Sequence, residues 1–178
     1  DIAYLESLHF FEKEFLDYLS SFRFSGDVYS MDEGSVIFPN EPIIRVHASL
    51  IEAQIIEGLV LNTINFQSLV ATKTARVWLA SKKGHIMEFG LRRAQGNDGA
   101  LSASRAAFIG GASGTSNTLA GKLFGIPVQG TMAHSWIMSF ETELEAFETY
   151  AAQYPEKSIF LIDTYDTLGS GIKNAITV

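Results

Sequence analysis

A histidine flanked by hydroxyls, Thr131-Met132-Ala133-His134-Ser135, follows the short run Ile126-Pro127-Val128-Gln129-Gly130. An imidazole placed where a strand opens into a loop can act as acid or base, as nucleophile, or as a hydrogen-bond donor. Three further clusters supply complementary chemistry. Phe89 is followed by Arg92 and Arg93; an aromatic ring stacks on planar groups, and guanidinium forks grip carboxylate or phosphate. Gly110-Gly111-Ala112-Ser113-Gly114-Thr115-Ser116-Asn117 precedes a helix-like segment, a setting in which backbone N–H groups face an anion. Asp163, Thr164 and Asp166 follow the apolar run 158–162 and suit a divalent cation, directly or through water, or sugar hydroxyls. Together these groups describe a site for a planar anionic ring beside a phosphorylated sugar.

Each cluster also has a plainer reading. Arg92 or Arg93 can pair with a surface Glu, and the glycine-rich stretch does not match G-x-G-x-x-G. Asp166 can be the N-cap of the helix after it. His9 and His47 stand in the N-terminal part and His85 at the start of a strand, so all three are taken as structural. Glu88 precedes Phe89 and can point to either face, which leaves it outside the candidate set.

The elements that must position these groups follow from periodicity. Ile2, Leu5, Leu8, Phe11, Phe15 and Leu19 recur at helical spacing and predict one helix over 2–19. Between 27 and 48, the runs Val28-Tyr29, Val36-Ile37-Phe38 and Ile43-Ile44-Arg45-Val46 are cut by turn residues and predict a small antiparallel sheet. Ser49 and Glu52 form a capping box opening a largely buried helical region to about Leu79. Gly58 and Asn62-Thr63-Ile64-Asn65 are expected to divide it into two helices. From 85 onward, apolar runs at 85–89, 126–128 and 158–162 alternate with helical stretches at 99–109, 118–124, 140–150 and 167–176. That alternation predicts parallel strands with covering helices, and a site at the carboxyl ends of the strands.

Composition narrows the class. The chain has 178 residues, 47% hydrophobic, which fits a packed globular fold. A net charge of −7 without a basic stripe argues against a nucleic-acid partner. With no cysteine, disulfides and thiolate metal sites are excluded. No run approaches the roughly 18 apolar residues of a membrane span, and no signal peptide is visible, so a cytoplasmic protein without a membrane partner is expected. The chain begins with Asp and stops at Val178 just after a helical stretch, as an internal piece of a longer protein would.

The blocks Glu88-Phe89-Gly90-Leu91-Arg92-Arg93-Ala94-Gln95-Gly96, Gly110 to Gly121 and Gly130-Thr131-Met132-Ala133-His134-Ser135 resemble the nicotinate phosphoribosyltransferase family in order and spacing. Ile162-Asp163-Thr164-Tyr165-Asp166-Thr167 adds a fourth block, and the helical region 50–77 looks like the family's segment before its barrel. The resemblance implies an α/β fold of the type II phosphoribosyltransferases: part of an irregular TIM-like βα barrel preceded by a small mixed α/β domain. Residues 1–48 would then belong to that domain, 49–84 to connecting helices, and 85–178 to the first βα units of an incomplete barrel. It implies that nicotinate and 5-phosphoribosyl 1-pyrophosphate give nicotinate mononucleotide and pyrophosphate in NAD salvage, with Mg²⁺. ATP as co-substrate would phosphorylate His134, and the full-length protein would be a homodimer with sites at the subunit boundary.

By the same resemblance Phe89 stacks on the pyridine ring, while Arg92 and Arg93 serve the carboxylate or the phosphates. Ser113, Asn117, Ser135 and Thr164 line the substrate. Asp163 faces the ribose or the pyrophosphate-bound Mg²⁺. Asn117 stands where the related nicotinamide enzyme carries an Asp, which favours an anionic ring here. Family members are longer at both ends, so this segment alone is expected to turn over poorly. The alternatives are the nicotinamide phosphoribosyltransferase and an inactive fragment or interaction module. A Lys-dependent βα-barrel aldolase or lyase is disfavoured, because Lys122 falls in a helix and Lys157 precedes a strand.

Overall fold

The helical stripe at the N-terminus is interrupted. His9 adopts φ 54°, a left-handed conformation that no helix continues through, so the predicted single helix becomes α1 (Ile2–Ser7) and α2 (Lys13–Ser20). The structure is a computed structural model describing residues 1–178, and it resolves into two units, residues 1–72 and 73–178.

In the first unit, β1 (Asp27–Ser30) and β2 (Ile44–His47) pair antiparallel, with Val28 opposite Val46, as the alternation predicts. The run 36–38 forms no strand. Pro39 and Pro42 lack amide donors, Asn40 turns left-handed at φ 69°, and Phe38 donates its N–H to the Glu41 carboxylate instead. Helix α3 (Leu50–Ala80) is capped as expected by Ser49, whose Oγ accepts from Glu52 N–H at 3.4 Å. The Glu52 carboxylate does not complete the box; it accepts from Ser25 N–H and Oγ.

Two further expectations for this region fail. The helix runs unbroken through Gly58 and Asn62, since such residues cost at most about 1 kcal/mol each in a helix and do not by themselves stop one. Nor is it buried: Glu52 is its only buried residue, while Leu59, Leu61 and Leu69 are more than half exposed. Apolar density encodes a tendency to be covered, but burial needs an opposing surface. A Cβ on Gly58 would meet nothing within 4 Å. Gly58→Ala is therefore expected to stabilise the chain by about 0.5–1 kcal/mol, read as a raised urea midpoint.

The second unit holds a parallel ladder. β3 (Met87–Glu88) pairs with β4 (Gly114–Thr115), and Thr115 bridges Val128 in parallel on the other side. Outer amides extend it: Ser116 N–H donates to Glu88 O, and Gln129 N–H donates to Thr115 O. β4 lies inside the glycine-rich stretch that precedes α5. A Cβ on Gly114 would sit 2.7 Å from Pro127 O, so the glycine admits close neighbours. α4 (Gly96–Ile109) and α5 (Thr118–Phe124) follow β3 and β4 as covering helices, and α5 ends in left-handed Gly125.

Beyond the ladder come α6 (His134–Ile137) and α7 (Glu143–Gln153), then a π-helical turn (Thr167–Gly171) leading into α8 (Ile172–Thr177). The run 158–162 forms no strand. Its apolar side chains meet the α7 core, but a strand also needs a neighbouring backbone, which periodicity does not encode. Met132, Ile137, Ala146 and Phe147 form that core, with Phe160 stacked on Phe147 at 4.9 Å between ring centroids. The mixed α/β class holds, and these residues do not close a barrel. No helix is long and apolar enough to cross a membrane.

Candidate active site

His134 is held by its neighbours in the chain. Met132 before it and Ile137 after it are both buried against Phe147, and Trp136 donates its indole N–H to Ala146 O at 3.3 Å. With both flanks anchored, the imidazole at the first position of α6 is left 46% exposed. The run 158–162 is pinned to the same core through Phe160, which carries Asp163 and Thr164 to the same place. His134 Nδ1 lies 3.1 Å from Thr164 Oγ1, a hydrogen bond, and Nε2 lies 3.9 Å from Asp163 Oδ1. The latter is too long for a hydrogen bond but close enough for charge to matter. Nδ1 is thus committed to a hydroxyl, while Nε2 stays open to a reacting group beside a carboxylate.

At the end of β3, Phe89 is 37% exposed and the 3₁₀ turn Leu91–Arg93 presents Arg92 and Arg93 to solvent. Arg93 Nη2 reaches back to Phe89 O at 3.4 Å. Ser135 follows His134 in α6 and is exposed.

Ser113 and Asn117 are placed otherwise than at one common polar edge. Ser113 precedes β4, and its Oγ lies 3.2 Å from His85 Nδ1, at the amino-terminal end of the ladder. Asn117 is 5% exposed and is the N-cap of α5: Oδ1 accepts from Ala120 N–H, and Nδ2 donates to Ser104 Oγ. Asp166 is likewise an N-cap, accepting from Gly169 N–H at 2.8 Å. β4 spans only Gly114–Thr115, so Ser113 enters it at one end and Asn117 leaves it at the other, and the two cannot serve one edge.

Glu88, left aside on sequence, is the hub of a buried network. Its carboxylate accepts from Ser104 Oγ at 2.8 Å, from Thr115 Oγ1 at 2.7 Å and from Gly90 N–H. The available signal was an acid within an apolar run and directly before the Phe89-Gly90 pair. No three His, Asp or Glu side chains converge into a metal cage. Asp163 is exposed beside His134, a single carboxylate that could hold a cation only with ligands from outside the chain.

These elements define a mixed α/β protein with an imidazole, a hydroxyl and a carboxylate gathered beyond its parallel strands. The model described as the nicotinate phosphoribosyltransferase (NAPRTase) N-terminal domain matches residues 1–65, and the NAPRTase family model matches residues 84–177. The chain belongs to the nicotinate phosphoribosyltransferase family. A nicotinate phosphoribosyltransferase of Mycobacterium tuberculosis is 49% identical over 168 residues, covering 94% of this chain and 36% of that protein. The Bacillus subtilis nicotinate phosphoribosyltransferase is 48% identical over 178 residues, again covering 36% of that protein. The crystal structure of human nicotinic acid phosphoribosyltransferase superposes with a TM-score of 0.87 at 31% identity, over 100% of this chain and 46% of the human one. Nicotinate-nucleotide pyrophosphorylase from Pyrococcus furiosus gives 0.77 at 28% identity, over 85% of this chain and 39% of that one. The chain thus spans about a third of the length of the curated relatives it matches.

Proposed function

We propose that the complete protein joins nicotinate to 5-phosphoribosyl 1-pyrophosphate, releasing pyrophosphate and forming nicotinate mononucleotide for NAD salvage. Membership of the family supports the reaction class, and the meeting of His134 with Thr164 and Asp163 carries the assignment of the site. The pyridine nitrogen displaces pyrophosphate at the sugar's C1, where cationic character develops as in glycoside transfer. Alignment of the ring and stabilisation of the leaving group do most of the work. Phe89 offers a face for the ring, and the guanidinium groups of Arg92 and Arg93 meet its carboxylate or the phosphates.

His134 is the phosphoryl acceptor from ATP in this reading, and hydrolysis of the phosphohistidine drives synthesis. Thr164 occupies Nδ1, so Nε2 is the nucleophile. Asp163 is the residue that would hold Mg²⁺, and the ion would supply positive charge to offset that of the leaving pyrophosphate. The complete chain would close the TIM-like barrel and work in the cytoplasm as a homodimer, with sites at the subunit boundary.

Asn117 Oδ1 and Nδ2 are both engaged inside the protein, so the expected ring preference rests on membership of the family and not on a contact from this residue. Steady-state assays of the complete protein should therefore show a clear preference for nicotinate over nicotinamide. A preference for nicotinamide would overturn the reading in favour of the nicotinamide enzyme. In the same assay residues 1–178 alone should show little or no turnover, and full activity of the segment would contradict the proposed need for the rest of the barrel.

A further inference from the structure

The Glu88 network joins four elements through a consistent set of donors and acceptors. The Thr115 hydroxyl donates to Glu88 and accepts from Asn117 N–H at 3.0 Å. The Ser104 hydroxyl donates to Glu88 and accepts from Asn117 Nδ2 at 3.3 Å. Asn117 Oδ1 then caps α5 through Ala120 N–H. Ser104, Thr115 and Asn117 are all at most 5% exposed. On its other side the carboxylate holds Gly90 N–H, inside the turn between Phe89 and the two arginines. A Cβ at Gly90 would lie 2.7 Å from Glu88 Oε1, so glycine is what lets the carboxylate sit over this amide.

We propose that Glu88 is a positioning residue for the ring-binding end of the site: its carboxylate, braced by Ser104 and Thr115, fixes the turn that presents Phe89, Arg92 and Arg93. This rests on the nicotinate reading above. A carboxylate has two acceptor oxygens, and here one faces the hydroxyls while the other faces the amide. Glutamine has the same shape but a single acceptor oxygen, so it cannot serve both sides. Breaking either side frees the turn or leaves buried hydroxyls unmatched.

The test uses the complete protein with wild type, Glu88→Gln and Ser104→Ala, the last removing one brace while leaving the carboxylate. In Glu88→Gln the KM for nicotinate should rise by about tenfold, the scale of one charge-assisted hydrogen bond, and by more than the KM for phosphoribosyl pyrophosphate. Ser104→Ala should move nicotinate KM the same way by less, and it stands in should the glutamine form fail to fold. Hydrogen exchange at the Gly90 amide should quicken in both variants while α7 amides keep wild-type protection. An unchanged nicotinate KM in a folded variant overturns the proposal. So does a rise in both KM values with exchange quickened across α7, which is general destabilisation. If wild type does not consume nicotinate, the functional reading falls, and the Gly90 exchange alone decides whether Glu88 holds the turn.

Discussion

His134→Ala in the complete protein should take up no ³²P from γ-labelled ATP, whereas wild type forms an acid-labile, base-stable phosphoprotein. The expectation follows from geometry. The buried neighbours Met132 and Ile137 fix the imidazole, Thr164 Oγ1 holds Nδ1 at 3.1 Å, and Nε2 remains available beside Asp163. Among the four histidines, His134 alone combines a hydroxyl at Nδ1 with a carboxylate near Nε2. Basal synthesis should persist at a reduced rate without ATP stimulation, because ring alignment and the guanidinium groups do not depend on the imidazole. Thr164→Val, which removes the hydroxyl and keeps the shape, should slow labelling by about tenfold, the worth of one orienting hydrogen bond. Equal labelling of His134→Ala and wild type would refute the assignment.

Gly171→Ala should destabilise the chain by about 3 kcal/mol or more. Gly171 has φ −56° and ψ −53°, which any residue adopts, so backbone freedom is not why glycine stands there. A Cβ would instead fall 1.9 Å from Ile162 O and 2.8 Å from Ile162 C. Those are backbone atoms, unable to step aside as a side-chain tip can. The displaced segment leads into Asp163 and Thr164, so the same change should weaken the His134–Thr164 hydrogen bond. Urea unfolding measures the first effect and the rate of phosphoryl labelling the second. Gly130→Ala is the control, because its Cβ would meet nothing within 4 Å; a shift there within about 0.5 kcal/mol is expected. If both alanine forms unfold at the wild-type midpoint, the close approach at Ile162 is not what glycine serves.

Much of the local architecture was legible in the residues alone. The helical stretch 118–124 is α5 to the residue, and 99–109 lies within α4. The Ser49 cap and the pairing of 28–29 with 44–46 also follow their signals. These depend on contacts within a few positions, or on the fixed periods of helix and strand, which a sequence displays directly. The family resemblance was legible too, because its motifs are contiguous blocks in a set order.

The rest required backbones to meet. The residues alone marked His134, Asp163 and Thr164 as reactive types, but only folding around Phe147 brings residues 30 positions apart into one hydrogen bond. Ser113 shares a polar stretch with Asn117, yet the ladder sends the first to the opposite end and makes the second a buried cap. β4 hides among glycines because its strand character comes from Ile86, Glu88 and Pro127 carbonyls supplied by its neighbours. Glu88 gained its partners from positions 16 and 27 residues away. Residue type sets what a side chain can do and local spacing sets the helix or strand that carries it. Which donor meets which acceptor depends on distant chain segments packing together, and that was settled only in the tertiary structure.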